Sequence, residues 1–270
     1  MSNNAQPSNF GDVSPRDIYL QPHSDDICFS LGAFAHKRHC GILLTVFAVS
    51  AYVPLRPGAA RAAAETVTKT RQAEDKAFAE ACGLSTEDLD LKDAALMGQQ
   101  TSNQGWADEN LQRIKSPLLD VLVGAPAEKS LQVRPWLFCP SGIGGHVDHV
   151  AVRMLVHQNY DVISQRYRIG FYEDLYYASS AAARMVGIGN LFHAMRDRKL
   201  HRHVFPLGDD VAKKVALIQL YSSQFLTLPQ TLEQFTPALE PPNAPHEAIW
   251  SDEPAGPALR TDLDLCVETS

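Results

Sequence analysis

Ile18-Tyr19-Leu20-Gln21-Pro22-His23-Ser24-Asp25-Asp26 passes from an apolar run into an imidazole and two adjacent carboxylates. The residues before Pro22 read as a short buried strand. Those from Asp26 onward read as a helix: Ile27, Phe29, Leu31, Phe34 and Ala35 are spread through it. It closes on His36-Lys37-Arg38-His39, cations that suit the negative end of a helix dipole, with Gly41 as a stop signal. A strand feeding straight into a helix is the opening unit of an α/β fold, and ligands bind outside the C-terminal ends of such strands. The chain has a second such junction. Trp136 to Cys139 reads as a strand running through Pro140-Ser141-Gly142-Ile143-Gly144-Gly145 into His146-Val147-Asp148-His149.

The alternation repeats outward from these junctions. Residues 41–50 are uniformly apolar, as in a parallel strand covered on both faces. Residues 59–81, rich in Ala, Glu, Lys and Arg, predict a long helix ended by Gly83. A short strand is expected at 89–92, a polar loop long enough for a substrate lid at 97–105, and a helix at 108–122. Further on, the pattern predicts a helix at 149–158, strands at 168–172 and 203–206, and a helix at 209–224 with an acidic start. Residues 1–16 read as a loose arm, and 17–270 as one domain whose Pro-rich, acidic C-terminal segment begins at about 227. Strands alternating with helices imply an α/β fold with a mostly parallel sheet.

Bulk properties narrow the function. The chain has 270 residues, 45% of them hydrophobic, enough for a substantial core. A net charge of −7 argues against gripping nucleic acid, which needs a basic face, but allows a small substrate held by one or two Arg. Five scattered Cys without a C-x-x-C predict reduced thiols rather than a disulfide framework. The polar N-terminus has no signal-peptide core, and no apolar run is long enough to span a membrane. The expectation is a soluble cytoplasmic protein with a small-molecule substrate. Homo-oligomerisation stays open.

The two clusters carry the ligand set a zinc-type cation prefers. His23 and Asp26, three residues apart across a strand-to-helix turn, can aim at one point, and His149 supplies a third ligand. Three ligands with one open position is the pattern of catalytic zinc, which acidifies water and polarises a carbonyl. Asp25 is then free as general base, and His146 can donate to an oxyanion or protonate a leaving amine. Asp148 can accept from a ring nitrogen of His146. The competing reading is that Asp25 or Asp26 merely caps the helix. Two such clusters at two strand ends weigh against it. A dinucleotide-binding module would need G-x-G-x-x-G where His-Ser-Asp-Asp stands. His36 and His39 read as helix-end cations, Cys28 and Cys139 as buried thiols, and Glu173 and Asp174 as pocket wall or cap. Gly142, Gly144 and Gly145 read as backbone freedom for His146.

Pro22-His23-Ser24-Asp25-Asp26 resembles the P-H-P-D-D-E signature of LmbE/PIG-L-type N-acetylglucosaminyl deacetylases, and Gly145-His146-Val147-Asp148-His149 their H-P-D-H. Arg71 and Glu74 followed by Cys82-Gly83 are similar to the family's R-x-x-E helix. The run from Tyr172 to Ala178 resembles Y-E-D-L-P-Y-A, and Tyr221 to Gln224 resembles Y-x-S-Q. The matches run in order over most of the chain. The resemblance implies a Rossmann-like three-layer sandwich and a zinc hydrolase, with iron(II) as the alternative metal, that removes acetyl from an N-acetylated amino sugar. It implies His23, Asp26 and His149 as metal ligands, Asp25 as base, His146 at the oxyanion and Arg71 on the substrate. Ser24, Ile27, Val147 and Tyr176 depart from the motifs at positions that are not ligands, so they bear on substrate identity more than reaction type. A different amide hydrolase on the same scaffold, cutting a thiol-sugar conjugate, is the alternative.

Overall fold

The computed structural model describes residues 16–54, 62–124, 134–238 and 244–254. Strand β1 (Ile18–Gln21) is buried at every residue and turns directly into helix α1 (Asp26–Arg38). The chain continues through β2 (Ile42–Thr45), α2 (Ala64–Ala81), β3 (Ser85–Asp88), α3 (Gly105–Val123) and β4 (Trp136–Pro140). Then follow α4 (Val147–Gln158), the one-turn α5 (Tyr160–Ile163), β5 (Arg168–Tyr172) and α6 (Ala181–Ala194). Strand β6 (His201–Pro206), α7 (Val211–Ile218) and β7 (His246–Ser251) complete the order.

The strands form one seven-stranded sheet in the order β3-β2-β1-β4-β5-β7-β6. The first five are parallel, and β7 runs antiparallel to both its neighbours. Strand order therefore reverses between β1 and β4, which pair through Ile18 with Leu137 and Tyr19 with Phe138. Such a reversal leaves a crevice at the C-terminal strand ends. Both His/Asp clusters sit at that reversal.

Side chains alternate across the sheet with the strand period of two. Tyr19, Leu43 and Phe138 face a layer built from Phe29 and Phe34 of α1, Phe78 of α2 and Leu217 of α7. Ile18, Leu20, Leu44 and Leu137 face the other layer, with Leu111 and Ile114 of α3, Leu155 of α4 and Ile163 of α5. This is the three-layer α/β sandwich with a mostly parallel sheet that the resemblance implies.

Helix α1 breaks inside, at Leu31 (φ −131°, ψ 23°). A break orphans carbonyls on one side and N–H groups on the other. Lys214, fully buried, donates its Nζ to the carbonyls of Cys28 (2.8 Å) and Phe29 (2.7 Å) and to Glu247 Oε1. Glu247 in turn accepts the N–H groups of Ala33 (3.0 Å) and Phe34 (2.8 Å). One ion pair from α7 and β7 thus fills both halves of the break.

The structure departs from expectation in several places. The regular strand β2 ends at Thr45, with Val46 and Phe47 N–H still donating to the carbonyls of Gln21 and Pro22. Val49 then makes only an isolated bridge to Lys92. The third strand lies at Ser85–Asp88, ahead of the expected 89–92, because pairing with β2 outweighs its polar side chains. The helix expected at 209–224 is helical only from Val211 to Ile218, flanked by short 3₁₀ turns. Helix α6 and strand β7 were not expected at all, and β7 lies within the Pro-rich segment after 227. The arm expected at 1–16 lies outside the described residues except for Arg16, as does the predicted helix start at 59–61. Cys28, Cys82 and Cys139 are buried free thiols, but Cys40 is disulfide-bonded, which corrects the all-reduced reading. Among the described residues no helix is long and apolar enough to cross a membrane.

Candidate active site

The turn after β1 puts Asp25 at the N-cap of α1 with φ 120°, a conformation side-chain-bearing residues rarely adopt. Its carboxylate makes no capping hydrogen bond. The capping explanation for Asp25 therefore fails, and the group is free for the cleft. Arg71 of α2 holds this turn: its Nη2 donates to the Ser24 carbonyl and lies 3.4 Å from Asp25 Oδ2. Asp26 instead folds back on the turn, accepting the His23 N–H at 2.8 Å.

His23, His146 and His149 each offer a nitrogen within 4.8 Å of the others, a group able to hold a metal ion. Asp26 Oδ2 stands 3.5 Å from His23 Nδ1 and 3.4 Å from His149 Nε2. Ligand atoms about 2.0–2.1 Å from a tetrahedral zinc are about 3.3 Å apart. Asp26 Oδ2 stands at that spacing from both rings, so a carboxylate oxygen lies beside the histidine group.

The remaining ring nitrogens point the other way. His23 Nε2 bonds Asp148 Oδ2 at 2.9 Å, and His149 Nδ1 bonds Asp174 Oδ1 at 2.8 Å. Both carboxylates are fully buried and pinned in turn. Asp148 accepts from Asn110 Nδ2 (2.7 Å) and the Ala94 N–H (2.9 Å), and Asp174 from Ser141 Oγ (2.6 Å) and the Ile143 N–H (2.9 Å). A carboxylate behind each ligating imidazole fixes its tautomer and orientation. Asp148 was expected behind His146, yet it lies 4.0 Å from that ring and hydrogen-bonds His23. The reason is local: His146 is the N-cap of α4, and its Nδ1 accepts the Asp148 N–H at 3.3 Å. That bond leaves Nε2 as the N–H donor of His146.

Charge is unevenly distributed. Burial opposes an imidazolium at His23, but the hydrogen bonds to Asp148 and Asp26 push it up to about 10. His149 is likewise raised, against its burial, by Asp26 and Asp174. His146, buried and facing both of those rings, is held down to about 3. Burial raises Asp25 well above the usual carboxylate range despite Arg71, while His149 and His23 draw Asp26 below it despite burial. Protons thus gather where a cation would bind, and Asp25 is the carboxylate most ready to accept one.

These groups line a cleft of about 270 Å³ with Tyr52, Arg71, Asp93, Thr101, Tyr177 and Gln224. Arg71 Nη1 also donates to Gln224 Oε1 at 3.1 Å, so the sequence-predicted Arg reaches the cleft. Glu74 ties α2 to the turn at 222–224 through Ser223 Oγ (2.6 Å) and N–H (2.8 Å). Gly144, at φ 89°, lies so close to Tyr177 that a Cβ would meet its ring at 2.4 Å. Glycine there lets Tyr177 close the wall. The stretch at 97–105 forms part of that wall, tied down by the Thr101 carbonyl to Val147 N–H (2.9 Å) and Gln104 Nε2 to Gly145 O (2.7 Å). His36 lies outside the site, its Nδ1 on the Ala81 carbonyl at 2.8 Å. Nothing local in the sequence marks Asp93 or Thr101 for the cleft. In sequence Asp174 reads only as wall or cap, whereas the fold sets it behind His149.

The chain is thus an α/β protein with a cleft at the strand-order reversal and three histidines there able to hold a metal ion, and known proteins resemble it as follows. No family model matches the chain. Over 185 residues it is 30% identical to 2'-N-acetylparomamine deacetylase of Streptomyces fradiae, covering 62% of this chain and 60% of that relative. The match thus spans less than two thirds of the relative's length. In structure it is similar to the A40926 pseudoaglycone deacetylase Dbv21 (TM-score 0.56, 18% identity, 87% of this chain and 96% of that one). A deacetylase–teicoplanin complex scores 0.58 at 18% identity, with the same coverage. A zinc-inhibited form of teicoplanin deacetylase Orf2 scores 0.52 at 18% identity, over 86% and 96%. These likenesses establish a shared fold.

Proposed function

We propose that the chain is a zinc-dependent N-deacetylase of an N-acetylated amino sugar or glycoside. The observation that carries this reading is the convergence of His23 Nδ1, His149 Nε2 and Asp26 Oδ2 beside an uncapped Asp25 in one cleft. The 30% identical relative, a deacetylase by name, supports the same reaction, and its name supports an aminoglycoside-type substrate.

His23, Asp26 and His149 would hold zinc, which when bound supplies Lewis acidity for the acetamide carbonyl and for a water. Asp25 takes the proton of the attacking water. Its burial keeps it basic, and Arg71 keeps it aimed. His146, whose Nδ1 is occupied by the Asp148 N–H, presents Nε2–H to the developing oxyanion. Asp148 and Asp174 hold the two ligating rings. As the C–N bond breaks, the leaving nitrogen takes up the proton Asp25 received, giving free amine and acetate. Arg71 and Gln224 line the floor on which the sugar rests.

The direct test is to purify the protein with zinc and assay acetate release from a panel of N-acetylglucosaminyl compounds. Turnover that disappears with a chelator and returns with zinc is expected. A fully metal-loaded protein that releases no acetate from any panel member would overturn the reading.

A further inference from the structure

A second cavity of about 370 Å³ opens beside the cleft, with Pro54, Leu226, Pro229, Thr231 and Glu233 in its lining. The two cavities share Gln224 and Phe225 as common wall. The Phe225 ring stands between them, 5.6 Å from Phe29 of the cleft and 5.9 Å from Phe235 of the second cavity. Gln224 is held toward the cleft by Arg71. Large apolar side chains stay exposed around this double opening: Tyr52 at 52%, Tyr176 at 47% and Leu226 at 49%. Exposed aromatic and aliphatic groups gathered at a cleft mark a ligand surface.

Glu233 is the one charged side chain lining the second cavity among the described residues. The cleft adds Asp25, Asp26 and Asp93 against Arg71 and the raised imidazoles of His23 and His149. Among the described residues, a ligand reaching across Phe225 therefore meets a carboxylate and no Lys, Arg or His. Apolar walls suit the faces of a saturated ring, and Thr227, Thr231 and Gln234 suit its hydroxyl edge. The carboxylate suits an ammonium and opposes a phosphate, on a chain already at net charge −7.

We propose that this second cavity is a subsite for a second, amine-bearing ring of the substrate, and that it selects against phosphate-bearing sugars. The proposal rests on the deacetylase reading for what occupies the cleft, but binding tests it without turnover. The probes are a two-ring amino glycoside with all amines free, its single-ring amino sugar, and a sugar phosphate of similar size, each measured calorimetrically on the zinc-loaded protein. The two-ring amine is expected to bind at least tenfold tighter than the single ring, and the phosphate weaker than either. Glu233→Gln is expected to remove most of that tenfold advantage. Thr231→Trp, at an exposed position that fills the cavity, is expected to do so with the thermal midpoint unchanged. Equal binding of one and two rings, tighter binding of the phosphate, or an unaltered preference in both variants would each overturn the subsite. Acetate release is a separate measurement: two-ring binding as expected without turnover of the N-acetylated form would overturn the deacetylase reading and leave the subsite standing.

Discussion

Helix α1 carries two buried charge clusters, and they are built on opposite principles. At its middle, Lys214 and Glu247 cancel one another and spend their remaining hydrogen-bonding capacity on four backbone groups of the helix break. At its start, Asp25, Asp26, Asp148 and Asp174 surround three imidazoles with Arg71 as the guanidinium in reach. The first cluster is closed within the protein. The second balances only when protons or a metal cation sit on its rings. A buried charged group reads as structural when protein donors and acceptors complete it, and as a site when they converge on a point they do not fill.

The largest expected effect falls on the open cluster. Asp25→Asn should retain zinc yet lower kcat by about 10²–10⁴-fold, the usual worth of a positioned base. Zinc content by elemental analysis and acetate release measure the two halves. Near-normal turnover would remove Asp25 from the mechanism. The closed cluster should fail differently. Lys214→Met leaves Glu247 buried and unpaired, and should cost about 3–5 kcal/mol of stability by urea unfolding. An ordinary buried ion pair can be replaced whole by apolar residues at little cost. This one should not be: Lys214→Met with Glu247→Met still orphans the carbonyls of Cys28 and Phe29 and the N–H groups of Ala33 and Phe34. A double variant as stable as the parent would show that the pair is dispensable to the break.

The contrast also marks what could be read from the chain alone. His23 to Asp26 and His146 to His149 were legible because each packs imidazole and carboxylate groups into four residues at a strand end, and the α/β alternation put those ends together. Their supporting carboxylates were not. The His23–Asp148 bond joins residues 125 apart and the His149–Asp174 bond residues 25 apart, and no local pattern says which imidazole a carboxylate will meet. Asp148 was accordingly assigned to its near neighbour His146. Strand β7 was hidden for a related reason. His246-Glu247 opens it with two polar residues in a Pro-rich context, and its stability comes from pairing with β5 and β6 and from Lys214. The break at Leu31 is equally silent in sequence, since the groups that satisfy it come from residues 214 and 247. Resemblance to a motif located Arg71. Only packing shows that it holds Asp25 and Gln224 at once.

A moderate effect tests the carboxylates behind the rings. Asp148→Asn frees His23 from its deepest partner and should weaken zinc binding at pH 8 by about 10–100-fold, as loss of a ligand's supporting carboxylate commonly does. Unchanged affinity would mean that Asp26 alone orients His23. The same residue governs the gentlest effect, the pH dependence of metal binding. Asp148 and Asp26 raise His23 to about 10, so without metal the ring is protonated at neutral pH. Zinc must displace that proton, so affinity should rise with pH, about tenfold per unit for each proton released. His149, also raised, adds a second proton where it is still charged. In Asp148→Asn the ring loses its largest raising contact and its pKa falls, so less proton is displaced. The variant should therefore bind zinc more weakly than the parent at pH 8 yet lose less affinity between pH 8 and pH 6. Calorimetric titrations at the two pH values in buffers of different ionisation enthalpy count the protons directly. Equal slopes for parent and variant would show that Asp148 positions the ring without holding its proton.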